Sequence, residues 1–368
     1  MNTAEPDTNE SSSNGNFFTV ALNKIDSIVR LGGNAPEVMT YLILVRGAGN
    51  RSYSQWGANS CSKYTELTYN KAEQSLQWLQ DHGFIRSLTD KKSLRTRPKW
   101  HIEKSPDDIE VALANALIGG VGKGKQHPPM KRIDELRIGT NGGLNETRLD
   151  VLMVLLHLYQ HQILADYGGI NPRCGLYREW EAAQNSWGEV VQPIAGTSAA
   201  LYEIQGSHNT IFFEFAKGCL FYVDDDEERT ERFWEAFNNL KHLGWLYETT
   251  QIWTNDPTKD PRAEPLYTLY VHDRHMRKQD PYLATEIHNA AFRAEAMDRY
   301  SEFSEHLVDD NSIIRSNKFR YIANIKKGGY PIGIYRLKFR PHTKDTGKGM
   351  AAESRRIRAW AEALKATI

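Results

Sequence analysis

The stretch Leu67-Thr68-Tyr69-Asn70-Lys71-Ala72, running on through Leu76 and Leu79 to Gly83-Phe84-Ile85, decides how this chain folds. Ala72, Leu76 and Leu79 recur at helical spacing, so they share one face of a helix extending from Thr68 to His82. Thr68 suits the N-cap, where a hydroxyl accepts from an unpaired N–H of the first turn. Gly83 supplies the left-handed residue that ends a helix, and Phe84-Ile85 opens an apolar strand. Once the apolar residues face inward, Asn70, Lys71, Gln74 and Gln77 must face outward, with Tyr69 at the N-terminal edge.

Upstream, Pro36 to Val45 reads as a leading helix and Ser54 to Ser62 as a shorter helical stretch. Downstream, a polar excursion separates Phe84-Ile85 from a second strand, Lys99 to Ile102. Between residues 86 and 100, Arg86, Lys91, Lys92, Arg95, Arg97 and Lys99 are opposed only by Asp90, a local net charge of +5. A turn at Thr89 to Ser93 would carry Lys91 and Lys92 at its tip.

Over residues 35 to 102 this succession resembles the winged-helix branch of the helix-turn-helix superfamily. Members show a leucine, a small hydroxyl residue, a few polar residues, then apolar positions at helical spacing and a closing Gly-hydrophobic-hydrophobic tripeptide, here Gly83-Phe84-Ile85. The resemblance implies double-stranded DNA as partner, with the helix from Thr68 as reader and the basic hairpin from Arg86 to Ile102 as wing. The side-chain chemistry agrees. Asn and Gln pair with adenine, Lys reaches guanine or phosphate, and a helix N-terminus favours an anion. The expected DNA-binding set is therefore Tyr69, Asn70, Lys71, Gln74 and Gln77 for reading, with Arg86, Lys91, Lys92, Arg95, Arg97 and Lys99 for gripping phosphate.

A weak internal repeat extends the pattern. Ala72, Leu76, Leu79, Gly83 and Ile85 recur at the same spacing as Phe233, Phe237, Leu240, Gly244 and Leu246, and a second strand follows at Leu266 to Val271. The later copy carries Glu231, Arg232 and Glu235 where the first has Asn70, Lys71 and Gln74, and Asp224-Asp225-Asp226-Glu227-Glu228 precedes its helix. Acid at those positions repels phosphate, so the later copy is expected to serve as scaffold or protein contact, including contact within a homodimer. A basic C-terminal region follows, with net charge +11 between Arg315 and Arg358. It reads as a β-hairpin, Phe319 to Ile325 and Ile332 to Phe339, turning at Lys326-Lys327-Gly328-Gly329 and displaying Lys318, Arg320, Arg336, Lys338 and Arg340. Such a hairpin would meet either DNA or protein. A last helix is expected from Met350 to Lys365.

The expected fold class is α+β: tandem winged-helix domains with a C-terminal β-hairpin and helix. The expected divisions are a disordered tail at 1–16, a winged-helix DNA-binding domain at 17–117 and a Gly- and Pro-rich linker at 118–137. A degenerate central winged-helix domain follows at 138–280, opening with a helix from Thr147 to Tyr167 capped by Asn145 and stopped by Gly168-Gly169, and a basic hairpin and helix region occupies 281–368.

The 46 basic and 46 acidic residues of the 368 cancel, so any attraction to nucleic acid arises from where charge sits. No apolar run approaches the ~20 residues needed to cross a bilayer. Cys61, Cys174 and Cys219 lie far apart with no C-x-x-C pair, which suits a reducing cytoplasm. Gly119 to Lys125 fits the spacing of a phosphate-binding loop, but Gln126 stands where a Ser or Thr is required and Pro128-Pro129 follow where a helix should begin. His157 and His161 fall at i, i+4 on an apolar helix and read as packed histidines. His272 and His275, beside Asp273, have no cysteine near them. The expectation is a protein that is not an enzyme, holds no cofactor or metal, and binds specific DNA sequences. Its layout resembles plasmid and mobile-element replication initiators. A transcriptional regulator and a winged-helix adaptor or inhibitor are the alternatives.

Overall fold

The computed structural model describes residues 16–49, 51–89, 98–120, 128–136, 143–163, 169–180, 189–193, 199–205, 209–212, 227–269, 318–324 and 330–343. They mix helix and sheet and belong to two units: 1–156 with 339–349, and 157–338 with 350–368.

In the first unit, β1 (Phe17–Ala21) leads directly into α1 (Leu22–Arg30), and α2 (Ala35–Ala48) follows. A short strand β2 (Tyr53–Ser54) precedes α3 (Ala58–Tyr64) and α4 (Tyr69–Asp81), and β3 (Ile85–Ser87) and β4 (Trp100–Ile102) come next. The order across this sheet is β2-β4-β3, antiparallel throughout, with Tyr53 opposite His101 and His101 opposite Arg86. Strand β5 (Glu110–Ala114) returns to pair with β1, and α5 (Asn115–Gly119) closes the run. Asn16 donates its backbone N–H to the His342 carbonyl at 2.8 Å, so the first described residue is anchored.

Helix α2 is buried along nearly its whole length and forms the centre of this core. Its N-terminus is a capping box in which the Asn34 N–H donates to Glu37 Oε2 at 2.9 Å. Glu37 is itself buried, and its other carboxylate oxygen accepts from Ser75 Oγ on α4 at 2.8 Å, which ties the two helices together. Near its C-terminus, Gly47 is required by close approach: a Cβ there would lie 2.5 Å from Trp56 Cγ and 2.6 Å from Ser54 Oγ. Ser54 of β2 thus faces α2, and Tyr53 faces the opposite side of the sheet.

Residues 118–120 and 128–136 of the expected linker are packed rather than loose. Ile118 is buried, and a 3-10 helix from Pro129 to Glu135 buries Met130 and Ile133. Glycine and proline confine helix here to the end of α5 and one 3-10 stretch, yet the apolar side chains between them still find a core. Helix α6 spans Leu144–Gln160, earlier than the expected Thr147 to Tyr167, and is buried on every side from Val151 to Tyr159. Asn145 lies inside its first turn, where the Gly143 N–H donates to Glu146 Oε2. The division between units falls within α6, at 156/157, and not in the glycine-rich segment.

The second unit contains β6 (Tyr177–Trp180), β7 (Glu189–Pro193), β8 (Ala199–Gln205), β9 (Asn209–Phe212), α7 (Glu227–His242), β10 (Leu246–Trp253), β11 (Pro265–Leu269), β12 (Lys318–Asn324) and β13 (Tyr330–Leu337). One sheet runs β11-β10-β13-β6-β9 and another β12-β8-β7. The expected C-terminal hairpin is therefore corrected. Its two arms are strands, but β12 pairs with β8 and β13 lies between β10 and β6. Residues 332–337 are buried on both faces, which demands a neighbour on each side and suits a central strand rather than one arm of a surface hairpin. Arg336 is only 4% exposed, so it cannot belong to an open basic face, whereas Lys338 is exposed.

The internal repeat has a local structural counterpart. Helix α4 ends with Phe84 N–H donating to Leu79 O and Gly83 N–H to Gln80 O, with Gly83 at φ +77°. Helix α7 ends with Trp245 N–H donating to Leu240 O and Gly244 N–H to Lys241 O, with Gly244 at φ +67°. Both are the same glycine-terminated cap passing straight into a strand. Beyond that point the copies diverge. In the first unit the returning strand β4 is central, whereas in the second the returning strand β11 is at the edge and β10 pairs with β13. Residues 1–15 of the expected tail, the wing tip (90–97), Gly122 to Gln126, Cys219, Asp224 to Asp226, His272, Asp273, His275 and the last helix (350–365) lie outside the described residues.

Candidate nucleic-acid interface

The turn between α3 and α4 is held from inside. Thr65, fully buried, donates its hydroxyl to Cys61 O at 2.7 Å and accepts the Leu67 N–H at 3.2 Å. Leu67 is buried beside it, and Thr68 accepts the Lys71 N–H at 3.3 Å as N-cap. Helix α4 buries Ala72, Ser75, Leu76 and Leu79. At about 100° per residue, Asn70, Gln74 and Gln77 fall on the opposite arc, Lys71 flanks it and Tyr69 lies at the N-terminal edge on the side of Leu76; all five are exposed.

Their individual environments differ. Gln77 Nε2 donates to Asp81 Oδ1 at 2.7 Å, which engages that amide within the helix. The Tyr69 hydroxyl donates to Glu73, whose hydrogen bond and charge hold the phenol above its ordinary pKa. Asn70 and Gln74, one turn apart, are the amides on this arc whose polar atoms remain available to an incoming ligand. The sequence reading overlooked Glu73, which shares the exposed arc with them. It is a hydrogen-bond acceptor suited to a cytosine amino group and unsuited to phosphate.

Positive charge is concentrated at the sheet rather than on α4. Arg86 on β3 is 66% exposed and lies 3.8 Å from Glu103, which is also 3.7 Å from His101. Exposed pairs of this kind contribute little and exchange readily for another anion. Lys99 is fixed at its backbone, with its N–H donating to Thr89 Oγ1 at 2.7 Å and its carbonyl accepting from Leu88 at 2.8 Å. Lys91, Lys92, Arg95 and Arg97 fall outside the described residues.

Around β2, just before the expected helical stretch at Ser54 to Ser62, the structure gathers cations on an aromatic ring. Arg51 and Lys99 both lie over the Tyr53 ring, at 5.3 and 5.8 Å from its centre. Nearby in sequence, Trp56 stacks on Tyr64 at 4.9 Å, with Arg46 over the indole and Lys63 over the phenol. Burial lowers the pKa of Arg46 from its ordinary value. The available signal was the alternation of Arg51 and Tyr53 with Ser52 and Ser54, a period-two pattern too short to outweigh its helical neighbours.

Among the described residues no group of three or more His, Cys, Asp or Glu side chains is placed to hold a metal ion, and no helix is long and apolar enough to cross a membrane. His157 is buried, and loss of water pushes its pKa down to about 4. Burial pushes the Cys61 thiol up to about 12. No protein-family model, curated protein or solved structure matches this chain.

Proposed function

We propose that this chain binds double-stranded DNA through a winged helix-turn-helix formed by residues 35–102, with α4 as the reading helix and the segment between β3 and β4 as the wing. The observation that carries the reading is the exposed polar arc of α4, set directly behind a capped N-terminus and a buried turn. The connectivity supports it: helix, short strand, helix, turn, helix, then two strands in the order β2-β4-β3. This is the succession of a winged helix, and it leaves α4 open on the side away from the core.

Asn70 and Gln74 are the base readers in this proposal, and adenine is their natural partner. Lys71, Arg86 and Lys99 hold backbone, together with the basic residues of the wing. The second unit repeats the helix and its glycine cap but surrounds them with a different sheet, and it presents Glu231 where the first presents Asn70. It acts as scaffold or protein contact.

Fluorescence anisotropy with random and selected duplexes across a salt series tests the proposal. Wild type should bind at low salt and weaken steeply as salt rises. Asn70→Ala and Gln74→Ala should each cost about 1–3 kcal/mol on the selected duplex and little on random DNA. Negligible affinity for every duplex at low salt overturns the proposal.

A further inference from the structure

Two cations converge on one aromatic ring at the edge of the three-stranded sheet. Arg51 and Lys99, both exposed, lie within 6 Å of the centre of Tyr53, so their charged groups are no more than about 11 Å apart. Neither has a carboxylate partner among the described residues. Glu103, the acid that shares this sheet, engages Arg86 and His101 instead.

Both cations are held in place. Arg51 donates from Nε to Ala48 O and from Nη2 to Gly47 O, at the C-terminus of α2, where the helix dipole favours a cation. The Tyr53 face attracts both cations. The Lys99 backbone is fixed by Thr89 and Leu88. Two positive charges are thus displayed on a rigid support, with Nη1 of Arg51 and the Lys99 ammonium still able to donate. That is the chemistry of an anion seat, one arm a planar guanidinium and the other a point charge.

We infer that Arg51, Tyr53 and Lys99 together form a phosphate seat that grips the backbone of bound duplex DNA at the base of the wing. The inference rests on the DNA-binding reading and enlarges it: the backbone contact extends to β2, a strand that precedes the reading helix in sequence and lies across the sheet from Arg86. The seat is assigned to phosphate and not to base edges, so it tightens every duplex alike.

The test is the slope of log affinity against log salt for the full chain on a labelled random-sequence 30-base-pair duplex, a length chosen as roughly three helical turns. Arg51→Gln combined with Lys99→Gln removes both charges, and the glutamine at 51 keeps donors for the α2 carbonyls. The slope should become shallower by about 2, with discrimination between selected and random duplexes unchanged. Lys104→Gln serves as control, because this exposed lysine lies 3.8 Å from Glu110 and should leave the slope at the wild-type value. If wild type binds DNA and the double variant keeps the wild-type slope, the phosphate seat is overturned and the DNA reading stands. If wild type binds no duplex at low salt, both fall.

Discussion

Replacing Ser75 by alanine probes the contact that fixes the reading helix. Ser75 is fully buried, and its hydroxyl donates at 2.8 Å to Glu37, which is 7% exposed and also holds the Asn34 N–H at 2.9 Å. Each carboxylate oxygen thus has one donor from a different element. Ser75→Ala strips one oxygen of its donor at a site water barely reaches. A hydrogen bond to a charged group contributes about 1.5–3 kcal/mol, and a charge left without its partner sits at the upper part of that range. Alanine returns up to about 0.5 kcal/mol through its better helix propensity. The net loss is therefore about 1–2.5 kcal/mol. Amide hydrogen exchange resolved by peptide reads it locally, and α2 and α4 should exchange about 5- to 70-fold faster under native conditions. In a Glu37→Gln background the same substitution should cost about 1 kcal/mol or less, because a neutral acceptor replaces the carboxylate. Unchanged or slower exchange in α2 and α4 of the single variant would refute the role assigned to this tie.

Two further outcomes follow from named contacts. Gly47→Ala places a methyl 2.5 Å from Trp56 and 2.6 Å from Ser54; overpacking of about 1–3 kcal/mol should outweigh the ~1 kcal/mol gained in helix propensity, so a raised melting temperature contradicts it. His157 is 4% exposed and its pKa is pushed down to about 4, so the unfolded chain takes up a proton first, near pH 6.5. Stability should be full above about pH 6.5 and fall as pH drops toward 4, by about 2 kcal/mol at pH 5. Burial of His161 acts in the same direction. Urea unfolding at pH 7.5 and pH 5 measures the difference, and His157→Leu should reduce it; an equal difference in that variant rejects the assignment.

Local chemistry was readable wherever one short stretch sufficed. Thr68, the buried positions 72, 76 and 79, and Gly83 define α4 and both its ends, and they also determine which side chains face out. The same pattern around Phe233 and Gly244 yields the same cap on α7. Sites built from distant residues were not readable. Arg51, Tyr53 and Lys99 meet only because β2 pairs with β4, and a two-residue strand leaves almost no trace in sequence. Glu103 reaches Arg86 across a hairpin whose register had to be known first.

Sequence alone determined the two ends of α4, its buried face and its exposed polar arc, because those depend on spacing and on groups within one or two turns of each other. Tertiary structure decided strand partners. The stretches Phe319 to Ile325 and Ile332 to Phe339 each read as strand, and adjacency suggested that they pair. Instead β13 is buried on both faces over residues 332–337 and takes the interior position between β10 and β6, while β12 joins β8. Backbone hydrogen bonds are alike for any partner, so pairing is chosen by which arrangement buries the side chains on both faces, and that choice involves residues 77 to 91 positions away in sequence.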